Sequence, residues 1–248
     1  MNNKKFCFII CTNNPAYLEE CLHYIQHLAI PEGYSTDFIT VTGAESITSA
    51  YQGAMEQSDA KYKIYLHQDV FILNRRILAD ILSIFSSHEG IGMIGMVGYE
   101  AIAYDGIMWH MERLGALYQK EPEKPYVDYQ KYQYSVHSDK YRYAAVADGF
   151  FMATAYDLPW NTTELDGFDF YDAFQCIEFL KRGYKIAIPM QRNPWCLHDD
   201  GGLPDLSQYD KYRQIFLKKY QNILGKDYRQ IIELYSQERG GRHENITF

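Results

Sequence analysis

Lys63-Ile64-Tyr65-Leu66-His67-Gln68-Asp69-Val70-Phe71-Ile72 is the stretch whose reading decides the fold of this chain. A short apolar run meets a polar triplet, so Tyr62 to Leu66 is predicted as a buried strand ending in His67-Gln68-Asp69. A carboxylate between apolar runs is costly to bury without a partner, so Asp69 either caps the following turn or serves a ligand. Two earlier segments are built the same way. Lys5 to Cys11 is an apolar strand that Thr12-Asn13-Asn14-Pro15 breaks, and Asp37 to Thr42 is a strand running into Gly43-Ala44-Glu45-Ser46. Helical spacing follows each strand, over Tyr17 to Leu28, Ser46 to Met55 and Asn74 to Phe85, and Ile91 to Val97 reads as a further strand. Strands alternating with helices predict βαβ units, hence an α/β fold with a mostly parallel central sheet flanked by helices. In such a sheet ligands bind at the carboxyl ends of the strands, where these polar triplets stand.

The second half is organised differently. From about 99 to 143 there is little period, many tyrosines, and Pro122 and Pro125 in a charged stretch, the pattern of an insertion or lid. Ala144 to Thr154 restores a strand-like pattern, broken by Asp148-Gly149. Phe170 to Gly183 is helical with Gly183 as its stop, Lys185 to Pro189 is a short strand, and Tyr209 to Tyr220 and Asp227 to Gln237 are helices. No repeat or low-complexity linker divides the chain. Residues 1–225 therefore read as one domain, and 226–248 as a C-terminal helix and tail.

With 248 residues the chain can bury a full core, and 47% hydrophobic with 23% charged residues is an ordinary globular balance. A net charge of −8 without a Lys/Arg cluster argues against a nucleic-acid partner. An anionic ligand stays compatible if a divalent cation intervenes. No apolar run approaches the roughly 18–20 residues that span a bilayer, and the N-terminus lacks the pattern of a secretory leader, so the expected compartment is the cytoplasm. The five cysteines form no CxxC pair and read as buried thiols rather than a disulfide framework or a zinc site.

Three sets of residues can carry chemistry. Asp69 with His198, and His67 nearby in sequence, offers a carboxylate and imidazole suited to Mn²⁺ or Mg²⁺, while His67 taken on its own reads as a structural or substrate-facing histidine rather than a ligand. Asp172, in the first turn of its helix, either complements the helix dipole or acts as a general base. The aromatic residues from Trp109 through Tyr118 to Tyr143 either stack on a sugar or pack as core and lid.

The order of these motifs resembles the family 2-type glycosyltransferases with a GT-A fold, and within them the streptomycin-biosynthesis-like group. The closer match is carried by Ala44-Glu45-Ser46 to Tyr51, Leu66-His67-Gln68-Asp69-Val70 and Asp148-Gly149-Phe150-Phe151-Met152-Ala153-Thr154, within roughly residues 5–202. The resemblance implies an inverting, metal-dependent transfer of a sugar from a nucleotide-diphosphate donor, UDP-type, to a carbohydrate or small-molecule acceptor hydroxyl. His67-Gln68-Asp69 takes the place of the family's Asp-x-Asp motif, so Asp69 would hold the metal, with His198 as a further ligand. Thr12, Asn14, Glu45 and His67 would line the nucleotide pocket, while Asp148 and Trp109 would contact sugar or acceptor. Tyr171-Asp172 matches the family's Glu-Asp pair with Asp172 as the base, and a base that works ionised needs little pKa elevation. His67 and Tyr171 depart from the family pattern, which keeps open a protein that binds nucleotide sugars or carbohydrate without turnover. A sugar-nucleotidyltransferase would begin with a Gly-rich basic loop, which Thr12-Asn13-Asn14-Pro15 does not resemble.

Overall fold

A computed structural model describes residues 1–120, 129–134, 139–200 and 206–241. The elements in chain order are β1 (Asn2–Thr12), α1 (Pro15–Gln26), β2 (Ser35–Thr42), α2 (Ile47–Gln57), β3 (Ala60–His67), β4 (Val70–Ile72), α3 (Ile77–Phe85), β5 (Ile91–Gly95), β6 (Val97–Tyr99), β7 (Arg113–Lys120), β8 (Tyr129–Gln133), β9 (Tyr141–Ala144), β10 (Val146–Ala147), β11 (Phe151–Thr154), α4 (Tyr171–Lys181), β12 (Lys185–Pro189), β13 (Cys196–His198), α5 (Tyr209–Lys219) and α6 (Tyr228–Gly241).

Pattern and capping chemistry explain the boundaries. Asn13-Asn14-Pro15 both breaks β1 and starts α1. The Asn14 side chain accepts the Ala16 and Tyr17 N–H groups, and Pro15 takes the first helical position, where a missing N–H costs nothing. Ser46 caps α2 by accepting the Ser49 N–H, and Gly183 ends α4 at φ 85°, a conformation open to glycine. Asn74 forms a turn through the Arg76 N–H, so α3 begins at Ile77 rather than at Asn74.

The large sheet has the order β2-β1-β3-β11-β5-β12-β9. Its pairings make five of these seven strands run in one direction, with β11 and β9 antiparallel to them. Alternation along β1 divides the core between the faces of the sheet: Cys7 and Ile9 point to the side covered by α2 and α4, and Phe6, Phe8 and Ile10 to the other side. Lys63, fully buried in β3, is held by both carboxylate oxygens of Asp157 at 2.8 and 2.9 Å and by the Ala60 carbonyl. All five cysteines are free, and four of them are buried.

The segment 99–143 holds more regular structure than its weak period suggests. β7, β8 and β9 lie in it, and β10-β6-β7-β13-β4 with β8 beside β7 make a second sheet. Tyr132, Tyr134, Tyr141 and Tyr143 are partly buried and pack against the core. Their rings fill space while their hydroxyls stay near water, which weakens any alternation in hydropathy. Pro122, Pro125, Gly201, Gly202 and residues 242–248 lie outside the described residues. α6 packs on α4 with Ile231 in the main core. Among the described residues no helix is long and apolar enough to cross a membrane.

Candidate active site

Strand register brings the polar triplets to one level. β1 pairs with β2 so that Thr12 faces Thr42, and with β3 so that Cys11 faces His67. The antiparallel β11 begins where β3 ends: Phe151 faces Leu66, and the His67 N–H donates to the Phe150 carbonyl at 3.1 Å. Asp148-Gly149 is thereby set against the end of β3. β13 runs antiparallel to β4 with His198 opposite Val70, and the Asp199 N–H donates to the Asp69 carbonyl at 2.8 Å. Distant parts of the chain converge on Asp69 by backbone pairing alone.

His67, Asp69 and His198 each offer one ligand atom, and these atoms lie within 4.8 Å of one another. Oδ1 of Asp69 is 3.5 Å from Nε2 of His198 and 4.0 Å from Nδ1 of His67. This oxygen is buried and makes no hydrogen bond, so it caps no turn. A buried carboxylate oxygen with no hydrogen bond, flanked by two imidazoles and paired in charge with His198, is part of a donor set that fits a divalent cation. Burial opposes ionisation of Asp69, but His198 and His67 outweigh it and hold the carboxyl below its ordinary range. Burial likewise opposes protonation of His198, yet Asp69 prevails and raises its pKa. Burial lowers His67, against the pull of Asp69.

Asp172 lies at the start of α4 and is almost fully buried. Its carboxylate accepts the Gly149 N–H at 3.0 Å and the Ala173 N–H at 2.7 Å. Burial, reinforced by Asp148, lifts its pKa to about 7. The structure thus differs from the expectation of little elevation, because the helix start is packed under β10 rather than open to water. Phe170, just before this turn, has φ 60°, the one positive φ at a non-glycine among the described residues. Such outliers cluster at functional sites.

Gly149 has no room for a side chain, since a Cβ there would overlap the Tyr171 hydroxyl. That hydroxyl lies 2.5 Å from Nε2 of His67. Gly149→Ala is expected to destabilise the protein by about 1–3 kcal/mol through overpacking, read by urea unfolding. An unchanged midpoint would show that Tyr171 yields freely.

The remaining expected residues fall in different places. Thr12 is buried at the cleft, and its hydroxyl donates to Oε1 of Gln68 at 2.7 Å. The side chain of Asn14 is engaged in capping α1, and Glu45 is exposed; neither lines the cleft that opens beside Asp69. This cleft, of about 290 Å³, is lined by Thr12, Asn13, Gly43, Ala44, His67, Asp69 and Phe168 among others. Asp148 is half-buried, and its carboxylate accepts the Phe150 N–H at 3.4 Å. Trp109 is 38% exposed and starts an aromatic line through Tyr209 to Phe170, next to Tyr171. A larger groove of about 870 Å³ lies by Tyr118 and Trp195, at the other end of β13 from His198. None of the three clustered ligand residues lines it.

Two residues here escaped the sequence reading. Oε1 of Gln68 accepts the Asn13 and Asn14 N–H groups at 3.0 and 2.8 Å as well as the Thr12 hydroxyl, tying the loop after β1 to the end of β3. Phe168 is 54% exposed on the cleft wall, in a loop anchored by the Ile47 N–H to the Gly167 carbonyl. The signal for Gln68 was its place inside the triplet; for Phe168 it was an aromatic between Gly167 and Asp169, just ahead of a helix.

A family model described as "Glycosyltransferase like family" matches residues 7–220. No curated protein matches the chain. Among solved structures, S. aureus TarS 1–349 matches with TM-score 0.53 at 12% identity, over 86% of this chain and 64% of that one. The mannosyltransferase PcManGT from Pyrobaculum calidifontis, in complex with GDP-Man and Mn²⁺, matches with TM-score 0.54 at 11% identity, over 94% and 69%. A structure of S. aureus TarS matches with TM-score 0.56 at 10% identity, and this chain spans 44% of its length. At such identities the likeness shows the fold, that of the GT-A glycosyltransferases. With the match running over residues 7–220, from β1 to the end of α5, the chain belongs to the glycosyltransferase-like family.

Proposed function

We propose that this protein is an inverting, metal-dependent glycosyltransferase that moves a sugar from a UDP-type nucleotide donor to an acceptor hydroxyl. The observation that carries this reading is the His67, Asp69 and His198 cluster, of which His67 and Asp69 line the strand-end cleft, with Asp172 bonded to the Gly149 N–H. Asp69 and His198 would hold Mn²⁺ or Mg²⁺, which when bound supplies positive charge against the leaving diphosphate. Thr12 and His67 line the cleft and would face the nucleotide, and the exposed ring of Phe168 offers a face for stacking. GDP-Man and Mn²⁺ in PcManGT, and UDP in a complex of TarS 1–349, lend support from the same fold.

Asp172 takes the proton of the acceptor hydroxyl as that oxygen bonds to the anomeric carbon. The carbon–oxygen bond to the diphosphate breaks on the opposite face, which inverts the centre. A carboxyl titrating near 7 is poised for this task at neutral pH. Asp148 and Trp109 would contact the sugar or acceptor, and ring contacts link Trp109 through Tyr209 to Phe170 beside Tyr171. Within the family, the motifs at Leu66 to Val70 and Asp148 to Thr154 favour the streptomycin-biosynthesis-like group.

A panel of nucleotide sugars in a thermal-shift experiment, with and without Mn²⁺, tests the reading. A ligand that binds only the folded state raises the midpoint, by about 2.7 kcal/mol of added stability at a hundred times its Kd. Shifts are expected for nucleoside diphosphates only with the cation, and metal-independent shifts would sink the assignment. The two backbone bonds to Asp172 favour a second reading, a binder that keeps the fold without the reaction. Slow metal-dependent release of nucleoside diphosphate from the donor decides for the enzyme.

A further inference from the structure

His67 ends β3 and Tyr171 begins α4, yet Nε2 of His67 meets the Tyr171 hydroxyl at 2.5 Å. Gly149 keeps the space that this hydroxyl fills. With Nε2 so engaged, the other ring nitrogen turns inward: Nδ1 lies 4.0 Å from Oδ1 of Asp69, a buried oxygen that makes no hydrogen bond. The His67 and His198 rings are 5.6 Å apart, centroid to centroid. Two imidazoles and one carboxylate therefore face a common point.

Resting on the reading of Asp69 and His198 as cation ligands, we propose that His67 is a third ligand through Nδ1, that Tyr171 is its positioning residue, and that this set selects Mn²⁺ or another first-row transition ion over Mg²⁺. Imidazole nitrogen suits transition ions, whereas Mg²⁺ favours an oxygen shell. A ligating histidine must present a lone pair, so its second nitrogen carries the proton and needs an acceptor. The Tyr171 hydroxyl oxygen provides that acceptor, and as a hydroxyl it also serves the opposite tautomer when no cation is bound. Phenylalanine at this position would keep the ring packing and remove the acceptor.

The test uses the full chain with Mn²⁺ alone, followed by electron paramagnetic resonance. Pulsed spectra of the wild-type protein are expected to show couplings to two imidazole nitrogens, falling to one in His67→Ala. Mn²⁺ should bind at least about tenfold more tightly than Mg²⁺ in competition, and His67→Asp should erase that preference. Tyr171→Phe should weaken Mn²⁺ binding about 10–100-fold while leaving the unfolding midpoint in urea near the wild-type value. A single nitrogen in the wild-type spectrum would overturn the role of His67 and leave the Asp69–His198 site standing. No bound Mn²⁺ at all would remove both. The wild-type nitrogen count decides the matter even if a variant fails to fold.

Discussion

Asp172→Asn is expected to keep metal-dependent nucleotide binding and to lose sugar transfer by about 10²–10⁴-fold, the span typical of a positioned acid–base group. The asparagine can still accept a backbone N–H but cannot take a proton from an acceptor hydroxyl. In the wild-type protein, transfer should rise with pH through about 7, as the carboxyl ionises. Retained turnover in the variant would remove Asp172 as the base. Stability supplies an independent readout. The folded carboxyl titrates near 7 and the unfolded one near 4, so the folded state holds the proton more firmly. Its contribution is fully present below about pH 4 and is lost as pH rises through 7. At pH 8 the buried charge costs ~2–4 kcal/mol, which the uncharged asparagine avoids. The variant should therefore melt above the wild type at pH 8, and this advantage should vanish towards pH 4.

Asp69→Ala is expected to weaken nucleoside-diphosphate binding in the presence of Mn²⁺ by at least about a hundredfold, or ~2.7 kcal/mol, with little change in its absence. The carboxylate is the one anionic group among the three clustered ligands, so the alanine leaves two imidazoles facing each other. Calorimetric titration with and without the cation reads the effect. Undiminished metal-dependent affinity would move the site elsewhere. The same variant loses the ion pair with His198. That pair stabilises the fold above the unfolded pKa of Asp, near 4, where the lowered Asp69 is charged, and below that of His, near 6.5, where the raised His198 is charged. The stability deficit of Asp69→Ala should accordingly be larger at pH 5.5 than at pH 8.

Particular residues show how far the sequence could be read. The apolar runs of β1, β3 and β5 predicted these strands because burial on both faces leaves a continuous hydrophobic signal, while β2, at the sheet edge and nowhere fully buried, showed as an alternation of apolar residues and threonines. The second sheet was not legible. Its strands β6 and β13 are three residues long, and β13 pairs with β7 and β4, and β10 with β6, across long separations that no local pattern encodes. Asn14 and Glu45 are expected at the nucleotide; the Asn14 side chain caps α1 and Glu45 is exposed, features of local chemistry that the nucleotide expectation did not include. His67 and Tyr171 each look in sequence like a missing carboxylate; in space they form one hydrogen-bonded unit.

By itself, the sequence determined that strands alternate with helices and that their carboxyl ends are polar, and it singled out Asp69, Asp148, Asp172 and His198 as candidates for the chemistry. Periodicity and residue type are local properties, and they survive without knowledge of the fold. Only the tertiary structure decided which of these residues meet. The antiparallel β11 and β13 deliver Asp148 and His198 to Asp69, and the packing of α4 over Gly149 buries Asp172 and turns His67 inward. Those outcomes depend on register and burial, which arise when distant segments exchange water for one another, and no stretch of the chain records them alone.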